Sequence, residues 1–130
     1  MRVTLAIGFG LLLAANGFLM LFDPAQWYAM VPGVPETGPF NPHFVRDVGV
    51  AYSVSGIGLA WCARNLDRAL PVLIGIVLFN TGHAITHVAD ILEDRLPSSH
   101  WLIDTPGVFA PTAALIAAGV ILARRAPDRL

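Results

Sequence analysis

The stretch HAITHVAD, residues 83–90, sets His83 and His87 four residues apart, with Asp90 three further on. In a helix those offsets bring all three side chains to one face. His43 and His100 repeat the spacing, each followed four residues later by an aspartate, Asp47 and Asp104. Imidazole and carboxylate together suit two kinds of chemistry. Three or four such groups can ligate zinc, iron or copper. Two histidines at i, i+4 supply two of those ligands from one helix face, as in the zincin arrangement, although Ala84 stands where that motif has its general-base Glu. Alternatively, an imidazole oriented by an aspartate can exchange a proton with a substrate.

The candidate metal ligands are therefore His43, His83, His87, Asp90 and His100, for a divalent transition metal such as zinc, iron or copper. His83 and His87 form the core of the set, and His43 with one of Asp47, Asp90 or Asp104 completes it. The candidate acid–base and substrate-binding residues are His43, Arg46, Asp47, Asp90 and Asp104, with Arg46 placed to hold an anionic group. Each has a plainer alternative. The histidines can fix helix register through hydrogen bonds, and Arg46 can snorkel or pair with Asp90. His100, beside Trp101, suits an interfacial position, and Glu93, Asp94 and Arg95 suit a solvated helix end. Asn80, one turn before His83, suits an interhelical hydrogen bond. Four histidines and three well-spaced aspartates on one side of a small helical bundle favour a shared polar site, because ionisable groups in such apolar segments are costly and usually functional.

The elements that must position these groups are greasy. Of 130 residues, 55% are hydrophobic and 13% charged, about half the charged share of an ordinary soluble domain. The apolar residues fall in long blocks, which predicts one integral membrane domain over 1–130 with spans at about 3–22, 42–63, 69–92 and 106–123. The expected fold is all-α, an up-down-up-down four-helix transmembrane bundle. The first block starts like a signal peptide but runs on past Ala14 and Ala15 without an A-x-A site, so a retained helix is expected. Residues 23–41 are dense in Pro and Gly and read as an ordered, turn-rich loop, with Trp27 and Tyr28 suited to a lipid–water interface. Asn41 and Pro42 make a natural helix start. Asp104 or Thr105 should cap the fourth span, and Pro111 should bend it.

Arginine asymmetry orients the bundle. Arg2, Arg64, Arg68, Arg124, Arg125 and Arg129 flank one side and only Arg46 and Arg95 the other, which places both termini in the cytoplasm. All four histidines and seven of the nine acidic residues then fall at the outer end. Composition also excludes chemistry. With no Lys there is no side-chain Schiff base. The single Cys62 rules out an internal disulfide and a thiolate cage. No basic cluster suited to nucleic acid is present.

The runs PGVPETGPFNPHFVRDVGVAY, HAITHVAD and DTPGVFAPT resemble those of small bacterial four-helix membrane proteins of the DoxX-like and BphX-like uncharacterised families. The resemblance implies four spans in a bacterial cytoplasmic membrane and carries no established reaction. The expected function is an outward-facing His/Asp site that binds a transition metal and acts on a small or lipophilic substrate. Two alternatives are an accessory subunit of a larger membrane complex, or a homo-oligomer, and a haem-binding bundle with His43 and His87 as axial ligands.

Overall fold

The computed structural model of the chain describes residues 2–125; Met1 and residues 126–130, which include Asp128 and Arg129 of the orientation argument, lie outside the described residues. Six α-helices follow in order among those residues: α1 (Arg2–Phe22), α2 (Pro24–Met30), α3 (Pro42–Arg64), α4 (Ala69–Leu92), α5 (His100–Ile103) and α6 (Ala110–Arg125). Short 3-10 turns at Val34–Thr37 and Leu66–Arg68 and a π-helical turn at Thr105–Phe109 connect them. The described residues contain no strand, so the fold is all-α. The four apolar blocks coincide with α1, α3, α4 and the stretch from Thr105 through α6. The chain divides between Asn65 and Leu66 into two compact units.

In the first unit, α1 and α3 run antiparallel and approach until backbone meets backbone. A Cβ added to Gly10 would lie 2.7 Å from the Gly56 carbonyl oxygen, and one on Gly17 would lie 2.6 Å from that of Gly49. A Cβ on Gly56 would collide with Ala14 N and Gly10 O. The glycines sit seven apart on each helix, two full turns, so both pairs share one seam. Such contact favours helix pairing where no hydrophobic force acts between the helices, because backbones can then pack directly.

Local chemistry sets the ends of these helices. Asn41 Oδ1 accepts from the backbone N–H groups of His43 and Phe44 at 3.1 and 3.2 Å, with Pro42 at the first helical position. Asp23 caps α2 in the same way, accepting from Gln26 N at 3.1 Å. The Pro/Gly-rich loop is ordered as expected, but it contains a helix, α2. Trp27 Nε1 donates to Asn16 Oδ1 at 2.9 Å, and Tyr28 Oη donates to the Gly38 carbonyl at 2.8 Å while packing on Phe40.

In the second unit, α4 and α6 are also antiparallel, but their backbones stay apart. Gly119 faces a Val77 methyl at an ordinary 3.7 Å, and Gly75 and Gly82 face open space. Thr112 Oγ1 donates to the Asn80 carbonyl at 3.3 Å, with both residues buried. A groove of about 300 Å³ runs between the two helices, lined by Leu70, Ile74, Val77, Ile116, Gly119 and Val120. α4 ends in a Schellman turn: Arg95 N donates to Asp90 O at 2.8 Å, and Asp94 N donates to Ile91 O at 3.3 Å. Asp94 takes the left-handed position at φ 57°, where glycine is usual.

Two stretches, Thr4–Phe22 and Leu66–Leu92, are long and apolar enough to cross a membrane, and Thr105–Ile121 is a shorter apolar helix. α3 falls short of that apolarity because it carries Arg46, Asp47 and a series of Gly and Ser residues along its seam.

Candidate acid–base site

The polar centre of the second unit is built on one carboxylate. Asp104 Oδ2 lies 2.8 Å from His87 Nδ1, and the same carboxylate lies 3.1 and 3.2 Å from His100 Nδ1. The group is withdrawn from solvent: His100 is fully buried, Asp104 is 7% exposed and the His87 side chain 16%. An ionised carboxylate only accepts hydrogen bonds, so opposite an ionised Asp104 both rings carry their proton on Nδ1. Each ring then presents its electron pair or second proton at Nε2.

The local fold explains this convergence. His100 and Asp104 are one turn apart on α5 and its continuation, where Asp104 N donates to His100 O at 3.0 Å. The sequence offers Asp104 or Thr105 as the side-chain cap of the next helix. Asp104 stands at the cap position but makes no side-chain cap bond: its backbone carbonyl accepts the first bonds of the turn, from Val108 N and Phe109 N at 2.7 and 3.2 Å, while the side chain turns to the histidines. The second of those bonds spans five residues and opens the π-helical turn ahead of Pro111, which has no N–H to continue a regular ladder. Thr105 Oγ1 donates to the Trp101 carbonyl at 2.6 Å, and Trp101 packs against Phe109, bracing the same turn.

A file of rings extends down α4 from His87. The His83 and His87 centroids are 4.8 Å apart with planes at 69°, and Phe79 stacks on His83 at 6.1 Å and 17°. The i, i+4, i+8 spacing makes this file legible in sequence, although Phe79 was not singled out there. Thr112, which ties α6 to Asn80, gave no local signal.

The other candidate residues have different partners. His43 Nε2 lies 3.5 Å from Asp47 Oδ2 in the first unit, with both side chains mostly exposed. Such a pair contributes little to stability. Arg46 Nε donates to the Leu21 carbonyl at 3.2 Å and so satisfies the C-terminal end of α1. Asp90 Oδ1 accepts from Arg95 Nε at 2.7 Å, and Arg95 also pairs with Glu93. The hydrogen bond to Asp90 raises the pKa of the Arg95 guanidinium further. Among the described residues, no group of three or more His, Cys, Asp or Glu side chains is arranged to hold a metal ion.

An all-helical chain with a carboxylate held between two imidazoles is the class that fold and site define. Residues 39–130 match the model of a family of unknown function, DUF8127, and the chain belongs to that family. That match covers α3 through α6 and so includes every histidine. No curated protein and no solved structure matches the chain.

Proposed function

We propose that this protein is a four-span integral membrane protein whose outer end carries an acid–base centre, with His87 Nε2 as the proton-accepting atom. The reading rests on one observation, the convergence of His87 Nδ1 and His100 Nδ1 on Asp104. An aspartate in that position fixes the tautomer, holds the ring in place and stabilises the imidazolium that forms when Nε2 takes a proton. His100, fully buried, positions Asp104 from the other side. Asp104 and His100 are positioning residues, and His87 is the group that meets a substrate.

The membrane part of the reading is supported by the two long apolar stretches and by Leu11, Leu12, Val54, Leu78 and Ile85, each more than half exposed. Side chains of this kind turned outward in such numbers suit lipid. Arginine placement sets both termini on the cytoplasmic side. A small, lipophilic compound with an exchangeable proton is the substrate class that such a centre can serve.

Nitrogen-15 spectra of histidine-labelled protein in lipid nanodiscs test the centre directly. His87 and His100 should both appear with the proton on Nδ1, and Asp104→Asn should remove that preference at His87. Diethyl pyrocarbonate, which acylates an unprotonated imidazole nitrogen, should modify His87 more slowly in Asp104→Asn than in the wild type. A wild-type His87 protonated on Nε2 and unprotonated on Nδ1 would sink the proposal.

A further inference from the structure

The geometry of the His83–His87 pair points beyond proton transfer. An ion bound through an imidazole nitrogen at about 2.05 Å lies roughly 3.2 Å from the ring centroid. Two rings in neighbouring positions of a tetrahedral or octahedral ion, at about 90–109°, therefore have centroids about 4.5–5.2 Å apart. The observed separation is 4.8 Å, and it comes from residues one turn apart on a single helix. Phe79 lies beside the His83 ring and nearly parallel to it, with centroids 6.1 Å apart.

We propose that His83 and His87 form a two-imidazole site for a divalent first-row transition metal such as zinc or copper, with water in the remaining positions and Asp104 as the carboxylate behind His87. The proposal rests on the acid–base reading in one respect, that Asp104 holds the Nδ1 proton of His87 and leaves Nε2 to the ion. It differs from the five-residue ligand set expected from sequence. Asp90 is engaged by Arg95, and Asp104 acts through His87 instead of on the ion. A carboxylate in that position fixes the tautomer and raises the basicity of the ligating nitrogen. Ion and proton compete for one electron pair, so metal binding displaces any proton on His87 Nε2 and weakens as pH falls.

The full-length chain, purified without a polyhistidine tag and stripped with a chelator, can be titrated with zinc and with copper(II) by calorimetry. Saturable binding of one ion per chain is expected, abolished in His83→Ala and weakened about 10- to 100-fold in Asp104→Asn. Circular dichroism checks that each variant is folded. Where His83→Ala loses the fold, His83→Phe keeps an aromatic ring against Phe79 and serves in its place. Absence of saturable binding to the folded wild type overturns the site, as does undiminished binding by either folded His83 variant. Undiminished binding by Asp104→Asn overturns the role of Asp104. The histidine spectra separate the two readings: no metal binding with His87 still protonated on Nδ1 removes the metal site alone, whereas loss of that tautomer removes both.

Discussion

The two units solve the same problem, pairing two apolar helices, in opposite ways. α1 and α3 pack backbone on backbone at Gly10, Gly17, Gly49 and Gly56. α4 and α6 stay further apart, with one polar contact between them, Thr112 to Asn80, and a second from α4 to the end of α5, His87 to Asp104. Close packing leaves no room for chemistry between helices. The looser pair has a groove between its helices and a carboxylate held by two imidazoles at one end. The lesson is a division of labour within one short chain, a closely packed hairpin in the first unit and a hairpin that carries polar groups in the second.

The sharpest way to break this comparison is to add bulk at the glycine seam. Gly56→Leu puts side-chain atoms into the backbone of α1 at Ala14 and Gly10, and should cost at least about 3 kcal/mol, more than ordinary overpacking. Thermal unfolding in detergent should show loss of the folded state. Gly82→Ala in the second unit meets open space and should instead stabilise by up to about 1 kcal/mol through helix propensity. Equal effects at the two positions would show that the seam is not specific to the first hairpin.

Next in size is the polar link. Asp104→Ala strands one buried and one half-buried imidazole donor, His100 and His87, and should destabilise by about 2–3 kcal/mol, read as a lower midpoint in the same melts. A change below roughly half a kcal/mol would show that the centre does not hold the second unit together. Smaller again is the Trp27–Asn16 bond that fastens the first loop. A double-mutant cycle with Trp27→Phe and Asn16→Ala should give a coupling of about 1 kcal/mol. The smallest effect should come from Asp94→Gly, which relieves the left-handed position at the end of α4 and should stabilise by about 0.5–1 kcal/mol.

Much of this was legible in the residues themselves. Asn41 followed by Pro42 announces the start of α3, and the apolar blocks announce the long helices, because caps and hydrophobic runs are local signals. The i, i+4 spacing of His83 and His87 places both rings on one face of α4, and the structure finds them in contact. The use of each acidic residue was not legible. Asp90 stands on the histidine stripe yet pairs with Arg95, since the Schellman turn folds the chain back across the helix end. Asp104 reads as a helix cap and stands at that position, but its side chain makes no cap bond and turns to the histidines.

The sequence by itself determined that this protein is helical and apolar, with His83 and His87 on one face of a helix, because composition and spacing act over a few residues. Only the tertiary structure decided that one aspartate, seventeen residues from His87, gathers two imidazoles while another at perfect helical spacing does not. A hydrogen bond is selective in distance and direction, and those are fixed by how the turns and helices pack, which no local spacing encodes.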